Sequence, residues 1–128
     1  MSQTTISHAI NWFEIPVTDM ARGIAFYESL LGITLRREPC SGVDLALFPA
    51  DEANGVKGAL MAVDKLTPST DGVILYLNAG ASISKVLDRL DVCGGKLLLG
   101  PVTLPDGLGR FAHITDPEGQ RIGLHAMD

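Results

Sequence analysis

From Ile6 to Ile15 apolar and polar residues alternate over much of the run, the period of a strand whose two faces meet different surroundings. Phe13 and Ile15 share one face, while His8, Ile10, Trp12 and Glu14 share the other. Pro16 has no N–H to give to a ladder and predicts the end of the strand, and Asp19 is placed to cap a helix starting at Met20. Met20, Ile24, Tyr27 and Leu31 then recur at helical spacing, with Leu30 widening the stripe and Gly32 as the stop. The stripe and the Phe13/Ile15 face complement each other, which leaves the Trp12/Glu14 face to line something else.

A second copy of this plan begins at Val73. Val73, Leu75 and Leu77 alternate with Ile74, Tyr76 and Asn78; Ser82 is the cap position, and Ile83, Val86, Leu87 and Leu90 make a helical stripe over Ile83 to Val92 before Gly94-Gly95. Aligning the two strand-helix junctions sets Trp12 opposite Ile74 and Glu14 opposite Tyr76. Between the copies, Ile33 to Glu38, Val43 to Phe48 and Gly58 to Val63 read as strands, with a turn at Cys40-Ser41-Gly42 and a loop over Pro49 to Gly55. After the second helix come strands at Lys96 to Leu99, Gly109 to Ile114 and Gln120 to Ala126, and Asp116-Pro117-Glu118-Gly119 has the residue order of a type I turn. Each half therefore supplies a strand, a helix and three strands.

Composition narrows the picture. At 128 residues, with no Pro-, Ser- or charge-rich linker, the chain reads as one domain over 1–128, built of modules at approximately 6–65 and 71–128. A net charge of -5, with Arg36-Arg37 as the sole basic doublet, argues against nucleic acid as a partner. No apolar run is long enough to span a bilayer. The two cysteines, Cys40 and Cys93, make no disulfide framework, and the N-terminus carries no basic-then-apolar signal, so a cytoplasmic location is the expectation.

The segments IPVTDMARGIAFYESLLG, GGKLL and DPEGQRIGLHAMD give the chain a resemblance to the vicinal-oxygen-chelate superfamily, which includes glyoxalase I, extradiol dioxygenases, methylmalonyl-CoA epimerase and the bleomycin-resistance proteins. The resemblance implies an α+β fold of two βαβββ modules forming curved mixed sheets around a cavity, with the two principal helices outside. It also implies dimerisation, which is common among small two-module relatives. Metal-dependent members carry His or Gln in the first strand of each module and Glu in the last. Here those positions fall at Trp12, Ile74 and Gly123, and near Lys57 to Ala59, so the expected cofactor set is none and the expected metal ligands are none. Replacement ligands are sparse: His8 and Glu14 lie about 20 Å apart along a strand, and His113 with His125 lacks a third partner. His113 is read instead as a hydrogen-bonded sheet residue.

Alternation places the candidate site on the sheet faces away from the helices. Trp12 and Tyr76 suit contact with an apolar or aromatic ligand, and Asn78 and Arg121 suit orientation of its polar groups. Glu14 and His125 are the candidate catalytic pair, the carboxylate for proton abstraction and the imidazole for donation or acceptance. Each has a structural alternative: Trp12 as core or interface filler, Glu14 with Arg121 as an ion pair, His125 as an exposed terminal residue. The leading function is a metal-free homodimeric module that binds a small organic molecule. The alternatives are a lyase, isomerase or dioxygenase with a displaced metal site, and a structural dimer whose cavity is filled by its own side chains.

Overall fold

The computed structural model describes residues 8–39, 42–62, 67–69 and 71–128. Ile6, at the expected start of the first strand, lies outside them, as do Cys40, Ser41, Val63, Thr70 and the module boundary at 65. The first half runs β1 (Trp12–Pro16), α1 (Met20–Leu31), β2 (Arg36–Arg37), β3 (Asp44–Leu47) and β4 (Lys57–Ala62). The second runs β5 (Tyr76–Asn78), α2 (Ile83–Leu87), α3 (Leu90–Cys93), β6 (Lys96–Thr103), β7 (Arg110–Thr115) and β8 (Arg121–Ala126). No helix among the described residues is long and apolar enough to cross a membrane.

Local signals set the first helix. Asp19 accepts a hydrogen bond from the Arg22 N–H at 3.0 Å, and Gly32, at φ 67°, closes the helix by bonding Glu28. Its buried face is Met20, Gly23, Phe26, Tyr27 and Leu30, one step round from the expected stripe, so Ile24 and Leu31 are only half-buried. The second helix differs from the expected single segment Ile83 to Val92. It breaks into α2 and α3 where the Arg89 N–H turns back to the Val86 carbonyl, a tighter three-residue bond, and Ser82 makes no side-chain cap. β6 also runs past Gly100-Pro101 to Thr103, because register shifts on this edge strand absorb the two residues that were expected to stop it.

In the first sheet the order is β1-β4-β3-β2 and in the second β5-β8-β7-β6; β1 pairs β4 and β5 pairs β8 in parallel, and every other pairing is antiparallel. These are two mixed βαβββ-type sheets, but the expectation of curved sheets around a cavity is not met. Each is an open four-stranded sheet, neither curled nor closed. Closure needs the first and last strands to pair, and one outer strand of each sheet is too short to wrap: β2 has two residues and β5 three.

The two sheets meet through their helix-facing sides. Ile15, Leu60 and Ala46 from the first sheet join Leu77, Ile114 and Leu124 from the second in one core with Phe26, Tyr27 and Leu30 of α1. A polar clamp fixes the register of the halves. The Tyr27 hydroxyl donates to Asp116 at 2.8 Å, Gln120 donates to Asp116 and to the Pro16 carbonyl, and Glu118 accepts from the Thr18 N–H at 2.7 Å and pairs with Arg22 at 3.2 Å. The Phe-Tyr and Asp-Pro-Glu-Gly segments that carried the family resemblance are thus the two sides of one joint.

Candidate functional site

The six candidate residues do not converge on one point. Trp12 and Glu14 lie on the open face of the first sheet, and the indole N–H donates to the Glu14 carboxylate at 3.2 Å. Glu14 and Arg121 line a common cleft of about 170 Å3 without forming an ion pair. Tyr76, Asn78 and His125 share a separate, shallower depression beside Gly80 and Met127. Glu14 and His125, the candidate catalytic pair, line different depressions, and the His125 Nε2–H donates to the Leu108 carbonyl at 2.7 Å. The Asn78 amide oxygen accepts from the Gly80 N–H at 2.8 Å.

A further cavity, of about 310 Å3, opens at the seam between the two sheets, lined by Phe13 of β1 and by Tyr76, Leu77 and Asn78 of β5. Ile10, Phe13, Leu31, Phe48 and Leu75 form its apolar wall, and Tyr76 and Asn78 are polar residues of its lining; Trp12 is not part of it. Phe13 is held by its packing on Phe48, with ring centroids 5.3 Å apart. The cavity therefore lies between the sheets, where the alternation of a single strand does not point.

Tyr76 is also the outer member of a chain of three side chains. Its hydroxyl lies 2.6 Å from His113 Nε2, and His113 Nδ1 lies 2.9 Å from Arg121 Nη1. Pairing explains the convergence, since Tyr76 stands level with Gly123 on β8, and Gly123 with His113 on β7. The Tyr76 ring lies over Gly123, where an added Cβ would fall well inside contact distance of the ring. Burial, and then the adjacent Arg121 charge, push the His113 pKa below its ordinary value, so the imidazole is neutral near pH 7. The sequence marks His113 as a hydrogen-bonded sheet residue, and the structure gives it two such bonds. Its period-two register with Phe111 was visible, but its link to Tyr76 spans three strands.

These positions do not fit the superfamily's metal. Gly123, where the resemblance expects Glu, is covered by the Tyr76 ring, and Ala59, the equivalent level on β4, is buried and has no donor. Lys57 is engaged with Glu52 at 2.9 Å. Both ring nitrogens of His113 are already hydrogen-bonded. Among the described residues no three His, Cys, Asp or Glu side chains come together as a metal-binding group.

Comparison with known proteins places this geometry. CFP32 of Mycobacterium tuberculosis, whose curated name proposes a glyoxylase, is 28% identical over 118 residues, covering 89% of this chain and 44% of its own length. The chain thus spans less than half of the curated relatives it matches. Glyoxalase I from Zea mays superposes with a TM-score of 0.70 at 25% identity, covering 91% of this chain and 45% of that one. TnmS3, an antibiotic binding protein from Streptomyces sp. CB03234, superposes with a TM-score of 0.65 at 26% identity, over 97% of this chain and 98% of its own. Residues 9–124 match the profile of one family, and the chain belongs to it: the Glyoxalase/Bleomycin resistance protein/Dioxygenase superfamily.

Proposed function

We propose that this protein binds a small organic molecule in the seam cavity, without a catalytic metal ion. The observation that carries the reading is the composition of the seam lining, an apolar wall containing Phe13, Phe48 and Leu75 with Tyr76 and Asn78 as its polar residues. Small-molecule sites have this composition, a mostly apolar lining with a few polar groups that set orientation. The likeness over nearly the full length to an antibiotic binding protein supports binding as the activity. The separation of Glu14 from His125 favours binding over proton transfer between them. A homodimer belongs to this reading, because Trp12 and Tyr76 stand 43% and 47% exposed on the open sheet faces and a second copy would cover them.

The test is an NMR titration of the purified protein with 2-acetylnaphthalene, repeated after exhaustive treatment with EDTA. Saturable shifts at Phe13 and Leu77, unchanged by EDTA and weakened about tenfold by Ile10→Trp at the cavity wall, are the expected result. Loss of binding on chelation would favour the metal-dependent alternative. Absence of saturable binding would favour a cavity that serves only packing.

A further inference from the structure

β5 is an outer strand of its sheet and pairs on one side only, with β8. In a strand the backbone N–H and C=O groups of successive residues turn to opposite sides. The Leu75 carbonyl accepts from the Gly123 N–H at 2.8 Å, and the Ala79 N–H donates to the His125 carbonyl at 2.8 Å, so Leu75, Leu77 and Ala79 turn theirs to β8. The backbone groups of Tyr76 and Asn78 therefore point away from the sheet. Among the described residues no backbone bond takes them up, and both residues are exposed.

The seam cavity runs along this edge. A hollow over one face of a strand touches every second residue, because side chains alternate. Here four in succession, Leu75 to Asn78, line the cavity, and β8 contributes none. Across from them stand Phe13, Leu31 and Phe48 of the first half, which offer no polar side chain. β1, an outer strand of the other sheet, does not satisfy the edge: none of its Cα atoms comes within 8 Å of β5, whereas paired strands bring them to about 5 Å.

We propose that the free edge of β5 is the polar side of the seam site, and that it takes an apolar small molecule carrying peptide-like N–H and C=O groups, which adds to the strand as a short extra rung. The Tyr76 carbonyl accepts a ligand N–H, the Asn78 N–H donates to a ligand C=O, and the apolar groups of the ligand meet Phe13 and Phe48. The inference rests on the cavity-binding reading above and adds the class of ligand. Main-chain bonds of this kind are how extended peptides add to sheet edges. The occupant is a small molecule because the stretch of edge that lines the cavity, Leu75 to Asn78, is only about 10 Å long.

Two measurements test it. In the ligand-free protein, amide hydrogen exchange should be at least about tenfold slower at Leu77 and Ala79 than at Tyr76 and Asn78. Equal protection of all four means that the edge is already paired and overturns the proposal; protection of Tyr76 and Asn78 that is lost on dilution identifies the occupant as a strand of a second copy. The second measurement compares N-benzoyl-leucine N-methylamide with the matched diester, in which oxygen replaces both N–H groups, using 2-acetylnaphthalene as the reference for the cavity itself. The diamide should bind about 5- to 30-fold more tightly than the diester and should slow exchange at Asn78. If 2-acetylnaphthalene binds but the diamide does not, or binds no better than the diester, or leaves Asn78 exchange unchanged, the edge assignment is overturned and the cavity reading stands. If none of the three probes binds, the cavity reading fails and this inference falls with it.

Discussion

At the scale of single residues, the position most changed by tertiary context is Gly123. Its missing side chain is what allows Tyr76 to lie across β8 and reach His113, so the glycine acts through the aromatic ring it admits. Gly123→Ala should displace the ring, break the 2.6 Å bond to His113 and destabilise the protein by about 1–3 kcal/mol, as overpacking does elsewhere. Urea unfolding together with the His113 15N signal checks both effects; an unchanged His113 tautomer and midpoint would show that the space is not needed. The same crowding means that Gly123→Glu would set a carboxylate against the ring instead of restoring a metal ligand.

At the scale of elements, the Asp116–Gly119 turn holds the start of α1 through Glu118. Burial alone would raise the Glu118 pKa, but the backbone and side-chain bonds from Thr18, the Asp19 N–H and the Arg22 guanidinium outweigh it and hold the carboxyl below its ordinary value. Glu118→Gln should cost about 1.5–3 kcal/mol, the range for hydrogen bonds to a charged group. The pH dependence has a definite sign. A carboxyl whose pKa falls on folding contributes fully above its unfolded value and loses that contribution as pH drops through the folded value. His113 adds a loss of the same direction that begins nearer neutrality, since the unfolded chain takes up that proton first. Thermal melts of wild type from pH 8 to pH 3 should therefore fall monotonically, and Glu118→Gln should flatten the acidic part. An acidic slope identical in the two proteins would remove Glu118 from the account.

At the scale of the molecule, the two outer antiparallel edges are unlike. β2 is two arginines, short and charged, with Arg37 paired to Asp44 at 2.6 Å, the sort of edge that resists further pairing. β6 is eight residues long and leaves Leu97, Leu98 and Leu99 all substantially exposed. Together with Trp12 and Tyr76, this apolar surface argues for a second copy in solution. Sedimentation velocity at micromolar concentration should give a dimer, and Leu98→Lys should shift it towards monomer if β6 lies in the contact. A monomeric wild type would reject the assembly.

What the sequence determined by itself was local. The Asp19 cap, the Met20–Leu31 helix, the αL stop at Gly32 and the order of strands all follow from side-chain chemistry acting within a few residues, and each is legible in the order of letters. The open face that carries Trp12 and Glu14 was legible for the same reason, because strand alternation is a property of the backbone. Where sheets end and how they sit together was not. One short outer strand in each sheet, β2 and β5, left both sheets open, and the break between α2 and α3 depends on how one turn tightens in place. The seam cavity and the Arg121–His113–Tyr76 chain belong only to the tertiary structure, since residues 37 positions apart meet across three strands through a gap left by a glycine between them.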